Sequence, residues 1–494
     1  MKCLITHFLL LCFPVCVTNV YAGIVSKETA GKVAHNFLKN QGNPENLKSS
    51  GNLMFCQPYG NIRLTDGTAS ENPAFFVFNT ENQGFVIISG DDALSPVLAY
   101  SKDNPFDFSH MSPGLEALLG DYETAISYAV RKDLKATTTV KEEWANLLQG
   151  ELKSAFAVDS VQAMTTTKWG YGSPYNNMCP ADPKASVKNG GRCPAGCAAV
   201  AMAQIMKFWN SPVIGIGSNI YGSNYGDLSA NFGLTWYDWK NMPDVVENSS
   251  PGYQKNAVAT LIYHCGVSVD MDYAYNKSGS YFICEPEPYS YLNCVLKALP
   301  KYFGYKKTIR GEMINPSDAK WTEKIRQELL AGRPVLYAGE DTRYNSAHAL
   351  VIDGFDKNGL FYMNWGLYGF NNGKFRLNLL ELPVSETDTY NFVENALIIT
   401  GIEPDLTISA KIPEMKETIN IWPNPATDRL YLELNSNDKS QPEIAILNST
   451  GIKISVLCYN GAPMAIPLNK LNSGVYFIRI QSGKGLITKK FIIR

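Results

Sequence analysis

Arg192 to Trp209 reads R-C-P-A-G-C-A-A-V-A-M-A-Q-I-M-K-F-W, and the rest of the chain is read outward from it. The turn residues Pro194-Ala195-Gly196 precede an unbroken run of good helix formers. Ala198, Met202, Ile205 and Trp209 fall on one helical face. Only Gln204 and Lys207 interrupt the apolar character, so the helix is expected to be buried nearly all round. Cys197 stands where that helix begins. A thiol there meets unpaired N–H groups and the positive end of the helix dipole, which favour thiolate, the nucleophilic form. Alone, the stretch better describes a small buried core cysteine, and the residues that follow shift that balance.

A cysteine nucleophile needs a base, most often histidine. The chain has five histidines. His7 lies in the leader, and His35 and His110 lie before residue 150. His264 occupies the last turn of an expected helix, where the dipole alone accounts for it. His348 opens an apolar strand after a polar loop, a place where functional side chains commonly sit, and by elimination it is the expected base. Asp356-Lys357-Asn358-Gly359 turns that strand into a second one ending at Asn364-Trp365-Gly366. With a three-residue loop Ile352 faces Asn364, and His348 and Asn364 share a face. A two- or four-residue loop puts them on opposite faces. Trp365 shields the pair from water or belongs to the core.

The length, 494 residues, implies several domains. A net charge of -2 argues against a nucleic-acid or anionic-membrane role based on bulk electrostatics. Lys2, the apolar run at residues 8–17 and Val20-Tyr21-Ala22 form an export leader, residues 1–22, whose cleavage releases Gly23. No later stretch is long and apolar enough for a membrane helix. Three of the 11 cysteines lie in the leader. With Cys197 free, seven remain, so at least one more is unpaired; the pairing is not readable. No Cys/His grouping has zinc-site spacing.

Residues 23–159 read as a small α+β domain: a helix over 27–38, strands at 74–78 and 84–89, and a helix over 116–130. Residues 131–159 follow as a charged, helix-prone connection without a core pattern, open to a protease. Residues 160–402 are the largest unit. In it, 215–233 reads as loop or irregular strand, 253–265 as a helix ended by Gly266, and 321–331 as a helix. Strands start at Pro334, His348 and Leu360. Residues 403–417 form a linker. Residues 418–494 hold short strands at 429–434, 443–447, 453–457, 474–481 and 488–493, the pattern of a small β-sandwich.

These stretches together resemble the streptopain family of papain-like cysteine peptidases. The likeness is carried by Trp169 with Pro174-Tyr175-Asn176, by G-C-A-A-V-A-M-A-Q-I-M-K at 196–207, and by G-V-S-V-D-M-D-Y at 266–273. G-R-P-V at 332–335, A-H-A-L-V-I-D-G at 347–354 and F-Y-M-N-W-G at 361–366 complete it. The resemblance implies an α+β papain-like core with nucleophile Cys197 and base His348, and Asn364 and Trp365 as the neighbours that orient and cover the histidine. The stretch G-F-V-I-I-S-G-D-D at 84–92 resembles that family's inhibitory propeptide. W-P-N-P-A at 422–426, L-N-S-G-V-Y-F-I-R-I at 471–480 and the closing K-K-F-I-I resemble the sorting domain of type IX secretion. Two departures stand out. Where the family pattern carries an oxyanion-binding glutamine, this chain has Tyr171. Where it has tryptophan and two glycines after Gly366, this chain has Leu367-Tyr368-Gly369.

The resulting expectation is a cysteine endopeptidase made as a zymogen. It would be exported through the periplasm and outer membrane to the medium or the cell surface, acting on protein or peptide substrates through a Cys–His dyad and a thioester. Its own propeptide and the type IX secretion machinery are the implied partners, with no metal, organic cofactor or nucleic acid. Tyr171 is the oxyanion candidate. The alternative, motivated by Tyr171 and the altered loop, is a surface or secreted binding protein on a peptidase fold.

Overall fold

Phe75 to Phe78 and Phe85 to Ile88 are buried on both of their alternating faces, which demands cover on both sides of the sheet they build. The computed structural model supplies that cover. It describes residues 23–41, 53–63, 69–80, 84–151, 160–284, 292–314, 320–341, 346–377, 379, 396–406, 418–435, 443–449, 453–459, 463–482 and 485–494. The leader with its cleavage pattern, residues 152–159 of the connection and residues 407–417 of the linker lie outside the described residues.

The N-terminal unit runs α1 (Lys27–Gln41), β1 (Leu53–Arg63), β2 (Ala69–Thr80), β3 (Phe85–Ser89), β4 (Val97–Ser101), α2 (Pro113–Arg131) and α3 (Thr138–Gln149). Helix α2 starts where the sequence provides a cap: the Ser112 hydroxyl accepts from Leu115 N–H at 3.1 Å, and Pro113 occupies the first turn. The connection expected to lack a core pattern contains α3, which buries Trp144 and Leu147. Two anchors four residues or fewer apart are too sparse a periodicity to read in advance.

The central unit continues with α4 (Cys197–Trp209), β5 (Ser218–Ser223), β6 (Gly226–Asn231), α5 (Gly252–Ser268), β7 (Asp272–Tyr273), β8 (Ser278–Gly279), α6 (Val295–Phe303), β9 (Arg310–Met313) and α7 (Lys320–Leu330). It closes with β10 (Val335–Asp341), β11 (Ser346–Phe355), β12 (Phe361–Asn364), β13 (Gly373–Phe375) and β14 (Leu397–Thr400). Residues 215–233, left between loop and irregular strand, contain the β5–β6 hairpin. Gly266 does not end its helix; α5 passes through it to Ser268. A β-carbon at 266 would stand 2.2 Å from the Tyr273 hydroxyl, so this glycine serves close packing rather than termination.

Among the described residues, one antiparallel sheet runs β1-β2-β3-β4-β13-β12-β11-β10-β14-β9. Strand β4 of the N-terminal unit pairs with β13 of the central unit, Tyr100 opposite Lys374 and Ala99 opposite Phe375. One face of this sheet carries a single apolar layer across the boundary, from Phe75, Val77 and Ile87 to Leu350, Ile352 and Trp365. Helix α2 lies on that layer with Leu115, Leu119, Tyr122 and Ile126, and α7 adds Trp321, Ile325 and Leu329. Each large apolar side chain so buried contributes roughly 1.5–3 kcal/mol before entropy is counted. The opposite face holds α1 and α3 on the N-terminal strands, and α4 on β11 with α5 packed against α4.

The C-terminal strands are β15 (Thr418–Trp422), β16 (Arg429–Asn435), β17 (Glu443–Asn448), β18 (Lys453–Cys458), β19 (Met464–Pro467), β20 (Gly474–Ser482) and β21 (Gly485–Ile493). They form sheets β15-β16-β19 and β18-β17-β20-β21 around one core that includes Leu430, Leu432, Ile444, Ile446, Ile478 and Phe491. The cysteine pairing that the sequence left open includes a Cys284–Cys294 disulfide, while Cys179, Cys193, Cys197, Cys265 and Cys458 are free.

Candidate active site

Helix α4 is buried from Ala198 to Met206, Gln204 included, as its composition required. Gln204 satisfies its oxygen with the Thr167 hydroxyl at 3.0 Å. Gly196 precedes the helix at φ 88°, and a β-carbon there would stand 2.7 Å from Met271 Sδ. Only glycine meets both demands at low cost, and the resulting turn places Cys197 at the first helical position.

The Cys197 thiol is half-buried and lies beside the His348 ring, close enough for each to shift the other's proton affinity. Burial pushes the thiol up. The hydrogen bond and charge of His348 and the N–H groups of Ala349 and Ala198 more than offset this, so the thiol lies below its ordinary value. His348 mirrors it. Burial pulls the imidazole down, but the bond and charge of Cys197 and the Trp365 carbonyl raise it above its ordinary value. Both shifts favour a thiolate–imidazolium pair. His348 Nε2–H donates to the Trp365 carbonyl at 2.9 Å, which leaves Nδ1 as the ring nitrogen available to the sulfur.

That acceptor differs from the one the resemblance implies. At the turn the expected register holds, because Asp356 N–H donates to Leu360 O at 2.9 Å. A bulge between Ile352 and Gly354 then shifts the pairing, so Val351 rather than Ile352 faces Asn364. His348 and Asn364 therefore lie on opposite faces. The Asn364 amide donates to Thr167 O at 2.8 Å and to the Thr165 hydroxyl at 3.3 Å, and its oxygen accepts from Gly366 N–H at 3.2 Å. The bulged Asp353 accepts from both Thr165 N–H (2.7 Å) and Thr165 Oγ1–H (2.5 Å). Burial raises its carboxyl to about 7, with the Thr165 bonds acting against the shift. Trp365 is fully buried beside the histidine, ring centroids 6.4 Å apart.

Tyr171 is half-buried, with a hydroxyl pushed up first by burial and then by the nearby charges of Cys197 and Glu116. The two departures from the family pattern meet here. Tyr368 adopts φ 56°, and its hydroxyl accepts from Gly172 N–H at 2.8 Å. Its ring lies where a β-carbon on Gly170 would stand, at 2.6 Å. Tyr368 thus braces the backbone on both sides of Tyr171. His264, set aside in the sequence, is buried against Tyr237 with its imidazole pushed down to about 3 by burial. A neutral, enclosed ring of that kind is structural.

Several residues at the site carry no signal in the sequence taken alone, because their partners lie some 260 positions away. Gly114, in the first turn of α2, lies on His348: a β-carbon there would stand 2.8 Å from the histidine Cβ and Cδ2. Asn371, almost wholly buried at φ 57°, donates to Asp107 O at 3.0 Å and His110 O at 2.8 Å, and accepts from Asp107 N–H at 2.7 Å. His110 stacks on Phe370 with centroids 4.1 Å apart. On the other face of the sheet the Tyr100 hydroxyl donates to Asp356 Oδ2 at 2.6 Å beside Lys374, whose ammonium burial pulls down to about 8. The N-terminal unit thus lies directly on His348.

Residues 169–375 match the peptidase C10 family, residues 22–126 match the Spi protease inhibitor, and residues 420–494 match a secretion system C-terminal sorting domain. The chain is 29% identical over 447 residues to the thiol protease/hemagglutinin PrtT of Porphyromonas gingivalis, aligning with 87% of this chain but spanning only 46% of that protein. It is 31% identical over 348 residues to streptopain of Streptococcus pyogenes, spanning 80% of it and 67% of this chain. A solved structure of a Prevotella intermedia prointerpain A fragment superposes with a TM-score of 0.54 at 29% identity, covering 71% of this chain and 98% of that one. Among the described residues no helix is long and apolar enough to cross a membrane. The sorting domain marks the chain for secretion or display at the cell surface.

Proposed function

Since the chain belongs to the peptidase C10 family, the streptopain family, we propose that it is a secreted cysteine endopeptidase held latent by its own N-terminal domain. Residues 23–159 are the inhibitory propeptide in this reading, 160–402 the peptidase and 418–494 the sorting domain, handled by type IX secretion. The observation that carries the proposal is the meeting of Cys197, at the start of α4, with His348, whose Nε2 is held by the Trp365 carbonyl, the thiol shifted down and the imidazole shifted up. Cys197 sulfur attacks a peptide carbonyl. His348 gives its proton to the leaving amine, and then activates water to hydrolyse the thioester. The Trp365 carbonyl orients the imidazole through Nε2, and the Trp365 ring excludes water from it. Asn364 supports the site from the opposite face by holding residues 165–167. The Cys197 N–H binds the oxyanion, with the Tyr171 hydroxyl as second donor.

The shifted dyad supports an enzyme over a binding protein on the same fold. A thiol-directed label tests the choice on the processed chain. Stoichiometric labelling at Cys197, with loss of turnover on denatured protein in Cys197→Ala, is the expected result. Undiminished turnover in that variant removes Cys197 from the mechanism.

A further inference from the structure

We propose that Asn371 binds the main chain of the substrate on its leaving-group side, by the hydrogen bonds it now makes to the propeptide. The inference rests on the peptidase reading above and names a recognition residue that reading does not use.

Three of the Asn371 side-chain bonds go to main-chain atoms of Asp107 and His110. An amide that pairs with backbone N–H and C=O does not select side chains, which suits a cleft that must accept many sequences. Asn371 is also held for the task. Its backbone sits at φ 57°, a conformation in which asparagine is tolerated better than bulkier residues, and its carbonyl accepts from Trp365 Nε1–H at 3.1 Å. The neighbouring Asn372 oxygen accepts from Trp365 N–H at 3.0 Å. The amide is thus fixed to the tryptophan whose carbonyl orients His348.

The direction of binding follows from the chemistry. His348 protonates the departing amine, so the departing peptide lies on the His348 side of Cys197. Trp365 and then Asn371 come next on that side. The propeptide marks the same track, running from residues 107–110 at Asn371 and Phe370 to Gly114 at His348. When the propeptide leaves, the Asn371 amide loses three partners at once and faces the cleft. A peptide continuing past the scissile bond restores them.

The test uses enzyme processed from the full chain by a trace of active wild-type enzyme, so that poor self-activation of a variant does not matter. Two synthetic peptides share the same acyl half. One carries a coumarin amide as a small leaving group; the other continues for four residues and reports by loss of internal quenching. Asn371→Gly keeps the positive φ and removes only the amide, and Asn371→Ala is its companion. The expected result for Asn371→Gly is a fall of about 10- to 30-fold in kcat/KM for the extended peptide, mostly in KM, from the loss of two or three neutral hydrogen bonds. The coumarin substrate should change by less than about twofold, since it makes no contact there. Equal losses on both peptides, or no loss on the extended one, overturn the assignment. Wild-type enzyme that cuts neither peptide overturns the peptidase reading itself, which separates the two failures.

Discussion

Gly114 of the propeptide rests directly on His348 of the dyad, with no room for a side chain between them. In the proposed zymogen the block would be steric: α2 stands over His348 while its ring stays held by the Trp365 carbonyl. Gly114→Val places methyl groups where the imidazole lies and must lift the first turn of α2. The expected outcome is a proform with at least about 10-fold higher basal turnover of a small substrate and faster self-processing. A Gly114→Val proform as silent as wild type would refute the steric account.

The dyad shifts set a pH window for the thiol. Cys197 lies below its ordinary value and His348 above its own, so both shifts move the processed enzyme toward the thiolate–imidazolium form near neutral pH. Iodoacetamide alkylation at pH 7 should keep most of its pH 9 rate. In His348→Ala burial acts with less opposition, the thiol rises, and the pH 7 rate should drop about 10-fold relative to pH 9. Superimposable profiles would show that His348 does not set the charge of the sulfur.

Tyr171 stands near Cys197 where the family pattern has glutamine, and Tyr368 braces it. Tyr171→Phe should lower kcat by about 100-fold with KM nearly unchanged, as loss of an oxyanion donor does. Tyr171→Gln should recover part of the loss. Unchanged kcat in Tyr171→Phe would leave the main-chain N–H as sole donor.

Asp353 supplies a second pH dependence, in stability. Its carboxyl is raised to about 7 in the fold, against about 4 in an unfolded chain. The neutral acid is therefore the form the fold prefers. Its contribution is complete below about pH 4 and is lost as pH rises through 7, a loss on the order of 4 kcal/mol over the full range. Urea unfolding of the Cys197→Ala chain at pH 5 and pH 8 should show this loss, and Asp353→Asn should flatten it. An equal pH slope in both chains would contradict the assignment.

How much the sequence discloses depends on where each residue's partner lies. Helix α4 was readable because its apolar character is continuous, and Cys197 because a helix start polarises whatever stands there. His348 emerged by elimination among few histidines. The face of Asn364 did not, because a one-residue bulge inverts every side chain beyond it. A signal was present: Gly354 interrupts an apolar strand, and a β-carbon there would stand 2.6 Å from Val161 O. Gly114 and Asn371 were invisible for another reason. Each is shaped to a surface contributed by a different domain, and neither belongs to a local periodicity. Trp144 and Leu147, the anchors of α3, lie too close together to show a repeat.

The strand pairing between Ala99–Tyr100 and Lys374–Phe375 has a consequence for activation. Hydrolysis within the connection at 131–159 would break one covalent bond and none of this strand pairing. A nicked chain is therefore expected to stay a silent two-piece complex, with α2 seated on the shared apolar layer. Release would then need digestion of the bound fragment by molecules already free. Onset should accordingly be autocatalytic, with a lag that shortens as the concentration of the exported protein rises.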